Sequence, residues 1–121
     1  FFSDVVPALE ALSARFPLAA VTNGNANVVE LGLGRFFRFA LTPGEAGAAK
    51  PSPVIFREAV RRLEVPAGEV LHVGDDPAAD VEGARTAGLR TAWVNRGGKP
   101  WSGAAPPDYQ VRCLNELARS I

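Results

Sequence analysis

The 121-residue chain has no methionine, one cysteine, one histidine and one tyrosine, and its 13 basic side chains are balanced by 13 acidic ones. Each shortage excludes something. A lone thiol, Cys113, leaves no intramolecular disulfide and suits a reducing cytoplasm, where the protein is expected. Net neutrality and a pI near 6.8 argue against nucleic acid or an anionic membrane surface as a partner. Apolar runs stay well short of the roughly 18 residues of a membrane span, and the start has no basic stretch ahead of an apolar one. A chain opening "FFSDVVPALEAL", inside an apparent helix and without methionine, is expected to be part of a longer product.

What is present is a chain 47% hydrophobic, enough to bury the core of one domain spanning residues 1–121, or of a piece of one. Asp4 to Phe16 spaces Val5, Leu9, Leu12 and Phe16 by three and four, a helical period. Leu18 to Gly24 reads as a short buried strand, Ala26 to Leu33 as a helix, and Arg35 to Thr42 as a strand. After the Gly/Ala/Pro-rich loop "PGEAGAAKPSP", Ser52-Pro53 resembles an N-cap with proline at the first helical position, opening a helix from Val54 to Glu64. Val70 to Gly74 reads as a strand, and Asp76-Pro77 repeats the cap device for a helix to about Ala87, which Gly88 ends. Arg90 to Asn95 is a further strand, "RGGKPWSGAAPPD" a loop and "LNELARSI" a terminal helix. This alternation predicts a three-layer α/β domain with a mainly parallel sheet.

Ligands of such sheets gather at the carboxyl ends of strands. There the sequence sets Thr22, Asn23, Gly24 and Asn25 after one strand, Lys50 in the following loop, and Asp75 and Asp76 after another, with Asp80 close behind. A hydroxyl, backbone amides, a fixed positive charge and clustered carboxylates suit a phosphate held beside a divalent cation. Each also has a plain structural reading. Thr22 or Asn25 would cap a helix, Asp76 before Pro77 is an ordinary N-cap, Asp80 sits where the helix dipole favours acids, and His72 is a packed strand residue. Lys50 would be a surface charge, although one of only two lysines beside 11 arginines suggests a required point charge. Asp75 resists the plain reading most, because an acid ending a buried strand pays desolvation unless a cation or donors compensate. Magnesium would do so. Zinc-ligand spacing, a P-loop and a nucleophile elbow are absent, and "GLGRFF" is not a dinucleotide fingerprint.

The ordered series "VTNGNA", "AKPSPVIF" and "VPAGEVLHVGDDPAADVEGARTAGLRTAWV" resembles the C-terminal part of haloacid dehalogenase (HAD) superfamily hydrolases. The wording is most similar to bacterial phosphatases acting on flavin mononucleotide and on a riboflavin-pathway intermediate. The resemblance implies a HAD-like Rossmannoid three-layer sandwich lacking the N-terminal central strand and the cap. It implies a Mg²⁺-dependent phosphatase of a small phosphorylated metabolite such as a flavin or sugar phosphate. It further implies that Thr22, Asn23, Gly24 and Lys50 bind phosphate and that Asp75 binds Mg²⁺. Thr22, Lys50 and Asp75 would be the catalytic set, with Asp76 and Asp80 behind them.

One departure bears on activity. The family's Asp-x-Asp, which carries the nucleophile, does not occur in this chain, and Asp4 has neither the preceding strand nor a second Asp two positions on. The chain alone is therefore expected to be inactive. Family topology also sets the missing strand between those ending at Thr22 and Asp75, so those two should meet directly, frame a gap filled by another chain, or pair with an N-terminal segment. Homo-oligomer formation is one such outcome. A haloacid dehalogenase and a non-catalytic HAD-derived interaction module remain alternatives. A response-regulator receiver orders its acids before its Thr and Lys, unlike this chain.

Overall fold

The structure, a computed structural model, describes residues 2–22, 28 and 30–121. Helix α1 (Val5–Ser13) buries Ala8, Leu9 and Leu12, with Val5 half-buried. The helix stops short of Phe16, which is exposed, so the apolar stripe ends one turn earlier than its spacing suggested. Strand β1 (Ala20–Val21) runs parallel to β2 (Ala40–Leu41). Between them the expected helix from Ala26 to Leu33 does not form over its described part: Val28, Glu30, Leu31 and Gly32 lie in turns, and Gly32 adopts a φ of 78°. A left-handed glycine there interrupts the helical path.

Arg35 to Thr42 forms less strand than expected. Gly34–Phe36 is a 3₁₀ turn that drives Phe36 into a cluster with Leu9 of α1 and Leu33. Aromatic packing against α1 thus overrides strand propensity. Helix α2 (Pro43–Ala46) lies within the stretch taken for loop, capped by Thr42, whose hydroxyl accepts from the Glu45 amide at 3.3 Å. Thr42-Pro43 is the same cap-then-proline signal as Ser52-Pro53, and it was readable. Helix α3 (Pro53–Leu63) starts as expected, with Ser52 accepting from the Val54 amide.

Strands β3 (Leu71–Gly74), β4 (Arg90–Val94) and β5 (Tyr109–Val111) form a second parallel sheet in the order β3-β4-β5. β5 was not expected, since only three residues pair after a Pro-rich loop. The segment after Asp76 opens as a wide π-helical turn, Pro77–Glu82, before α4 (Gly83–Thr86), and α5 (Leu114–Ser120) closes the chain. Strand alternation sorts the sides. Leu71, Val73, Ala92 and Val94 pack with Leu117 of α5, while His72 meets Phe56 of α3 with the rings edge to face. Helices therefore cover both faces.

The two sheets are not hydrogen-bonded to each other: β1 and β3 each keep one unpaired edge among the described residues. Helix α3 spans the break. Its Phe56, fully buried, packs with Leu41 of β2 on one side and His72 of β3 on the other. Burying such a ring contributes about 2–3 kcal/mol.

The chain's ends are clasped by one carboxylate. Asp4 accepts from Arg96 Nη1 and Nη2 at 3.0 and 3.2 Å, and from the Leu114 amide at 2.7 Å. Cys113 gives α5 no side-chain cap, so Asp4 serves that helix from 110 residues away in sequence. Burial opposes ionisation of Asp4, but the Arg96 and Leu114 hydrogen bonds outweigh it and hold the carboxyl below its usual range. A depressed folded-state pKa gives stability that is complete above the unfolded pKa and is lost as pH falls through the folded one. Asp4→Ala is expected to lower unfolding free energy by about 1.5–3 kcal/mol at neutral pH. Urea denaturation should show that deficit shrinking as pH falls through and below the ordinary carboxylate range; a pH-independent deficit would show that Asp4 acts by packing.

Candidate active site at the carboxyl edge of the sheets

Thr22 follows β1, Asp75 and Asp76 follow β3, and Lys50 reaches the β3 end through Asp80. The Thr22 amide donates to Leu41 O at 3.1 Å, continuing the β1–β2 ladder, and its hydroxyl oxygen is buried with no described hydrogen-bond partner. A buried hydroxyl without a partner is costly, and the described residues supply none for this one. Asn23 and Gly24 lie outside the described residues, as does Asn25.

Asp80 is the centre of the described cluster, with 4% of its surface exposed. Its Oδ1 accepts from Lys50 Nζ at 2.7 Å and contacts His72 Nε2 at 3.0 Å, while Oδ2 accepts from the Asp76 amide at 3.1 Å. Burial alone would push this carboxyl up. The His72 and Lys50 hydrogen bonds, the Lys50 charge and the Asp76 amide prevail, and Asp80 is held well below the ordinary carboxylate range. Lys50, with its side chain 13% exposed, reaches it from the loop after α2.

The local sequence builds this arrangement. Asp76 Oδ1 accepts from the Ala78 and Ala79 amides, both at 2.9 Å, and Pro77 occupies the first helical position. The wide turn that follows, closed by Val81 N to Asp76 O at 3.3 Å, folds the Asp80 side chain back beneath β3. Gly74 makes room. A Cβ there would lie 2.2 Å from Asp80 Cγ. Gly83 has a similar duty, since its Cβ would meet Pro51 Cα at 2.9 Å, where α4 presses on the loop that carries Lys50.

The three acids are thus divided. Asp76 caps, Asp80 holds Lys50 and His72, and Asp75 stands exposed at the strand's end with its carboxylate in none of the described ion pairs. Its backbone is anchored, because Trp93 Nε1 donates to Asp75 O at 2.9 Å and Trp93 in turn packs edge to face on Trp101. For a magnesium ion the donor set fits in part. Asp75 offers a hard oxygen at the mouth of the site, but the described residues contain no cluster of three His, Cys, Asp or Glu able to enclose a metal. Magnesium tolerates a sparse protein shell because it keeps water and takes phosphate oxygens. The sequence marks His72 only as a packed strand residue and does not single out Trp93. The two-residue alternation from Gly74 puts His72 on the Asp80 side, a signal that was available; nothing marked Trp93.

The haloacid dehalogenase-like hydrolase family matches residues 1–88. The chain belongs to this family. Among its relatives, the Escherichia coli 5-amino-6-(5-phospho-D-ribitylamino)uracil phosphatase YigB is 39% identical over 109 residues, covering 90% of this chain and 44% of that protein. A solved 2-haloacid dehalogenase from Pseudomonas syringae superposes with a TM-score of 0.95 at 44% identity, covering 98% of this chain and 52% of that one. The HAD-hydrolase YfnB from Bacillus subtilis, described as bound to magnesium, gives a TM-score of 0.90 at 30% identity over 98% of this chain and 55% of its own. The chain therefore spans about half the length of the HAD hydrolases it matches.

Within this HAD fold, Gly74 is the position where the smallest change should do most harm to the cluster. Gly74→Ala must displace the Asp80 side chain and strand the Lys50 charge, an expected cost of about 3–5 kcal/mol. Gly68→Ala, at a position with open space around it, should change stability by less than about 0.5 kcal/mol. Urea midpoints that shift equally in the two variants would overturn this account of Gly74.

Proposed function

We propose that the protein containing this chain is a Mg²⁺-dependent phosphomonoester hydrolase of a small phosphorylated metabolite, such as a flavin or sugar phosphate. The observation that carries the reading is the buried Lys50–Asp80 pair beside an exposed, uncommitted Asp75. Similarity to YigB, a phosphatase, supports it. Phosphoryl transfer depends mostly on positioning and charge neutralisation, and these residues are suited to both. Thr22 Oγ1 would donate to a phosphoryl oxygen, together with the Asn23 and Gly24 amides. Lys50, oriented by Asp80, would neutralise another oxygen. Asp75 would hold Mg²⁺, which supplies further neutralisation of the phosphate when bound.

The nucleophile is assigned to a carboxylate outside this chain, on a strand entering between β1 and β3. A preceding segment of the same product fits those edges, and a second copy is the other candidate. A cytoplasmic setting suits the single thiol; no helix of the described residues is long and apolar enough to cross a membrane. A dehalogenase reading is supported by likeness to several haloacid dehalogenases, the Pseudomonas syringae enzyme among them. Asp75 weighs against it, since halide displacement from carbon needs no metal to neutralise a phosphate.

The longer protein should release inorganic phosphate from an aryl phosphate ester with Mg²⁺ and stop when EDTA is added. Lys50→Met should lower kcat by about 10²–10³-fold, as for loss of one charge-stabilising donor. The 121-residue chain alone should show no turnover. Metal-independent halide release from 2-chloropropionate, without phosphatase activity, would establish the dehalogenase reading instead.

A further inference from the structure

His72 is the chain's only histidine, lies on the β3 face that meets α3, and has a side chain 12% exposed. Its ring stands edge to face on Phe56, with centroids 4.8 Å apart and planes at 77°. Packing alone would explain that contact. It does not explain the other. His72 Nε2 lies 3.0 Å from the same Asp80 oxygen, Oδ1, that accepts from Lys50 at 2.7 Å. An ionised carboxylate only accepts hydrogen bonds, so Nε2 must carry a hydrogen and donate it. Lys50 and His72 therefore converge on one oxygen, while the Asp76 amide holds the other.

We propose that His72 is a positioning residue for Lys50, acting through Asp80. Its Nε2–H fixes the carboxylate in the orientation on which the ammonium rests. Lys50 is then held in place where its ammonium can meet a phosphoryl oxygen. The proposal rests on the phosphate-binding reading of Lys50.

With one histidine and two lysines, Lys50 and Lys99, the imidazole and ammonium groups of the 121-residue chain can be followed individually by ¹⁵N NMR. His72→Phe keeps the ring packing and removes the donor, whereas His72→Gln restores an N–H near the position of Nε2. In phosphate-free buffer, Lys50 ammonium hydrogens should exchange about tenfold faster in His72→Phe, the factor expected for losing one charge-assisted hydrogen bond. His72→Gln should stay within about threefold of the native chain. Titration with inorganic phosphate should show the same order, with affinity about tenfold weaker in His72→Phe. If the Phe variant does not fold, His72→Leu takes its place. Native exchange rates in the donor-less variant, or a Gln variant no better than it, would reduce His72 to a packing residue. A native Lys50 signal unmoved by phosphate would instead overturn the phosphate reading, and the exchange comparison would still decide the part played by His72.

Discussion

The Asp80 carboxylate is buried, ionised and surrounded by donors from three directions, and much of the local sequence follows from keeping it so. A buried charge is tolerable only when paired and hydrogen-bonded. Lys50 must therefore arrive from the other sheet's side of the molecule, which fixes the path of the loop after α2. Gly74 must lack a side chain so that the carboxylate can tuck beneath β3, and Gly83 must lack one so that α4 can close on Pro51. Two glycines, a lysine and a histidine, scattered over 34 positions from Lys50 to Gly83, answer to one side chain.

The same constraint explains how three nearby acids avoid mutual repulsion. Each is neutralised or solvated differently. Asp76 spends its charge on two helix-start amides, Asp80 on an ammonium and an imidazole, and Asp75 faces solvent with its backbone pinned by Trp93. Only the last has a carboxylate in none of the described hydrogen bonds or ion pairs, which is why the proposed metal falls to it rather than to its neighbours. The order is enforced by the turn. A tighter helical start would turn Asp80 away from β3, whereas the π-helical opening brings it under Gly74.

The elements legible in the sequence were those with a strong local signal. Ser52-Pro53 and Asp76-Pro77 marked helix starts because proline fixes the backbone and the preceding side chain caps, and both do so in the structure. Strand extents depart from the sequence pattern where packing decides them: Phe36 turns into the α1 cluster instead of extending β2, and β5 is a three-residue pairing with little pattern of its own. In the site, residue type and strand-end position picked out Thr22, Lys50 and the acids. The part played by His72 depends on a contact eight residues away across a π-helical turn, which its reading as a packed strand residue does not include. Trp93 escaped because its partner is a backbone carbonyl.

The break between β1 and β3 connects these points. A parallel strand edge leaves amides and carbonyls unpaired, and burying such an edge is expensive, so the described fold presents two edges suited to an inserted strand. Thr22 follows β1 and carries a buried hydroxyl without a described partner, and Asp75 follows β3 as an exposed acid. Helix α3 keeps the two sheets in one body by packing Phe56 across the break rather than by main-chain pairing. Side-chain packing imposes no hydrogen-bond register, so it can hold the flanking strands while leaving their edges available to a third. The architecture thus separates two tasks. The core under α3 holds the site's parts in place, and the unpaired edges determine what can complete it.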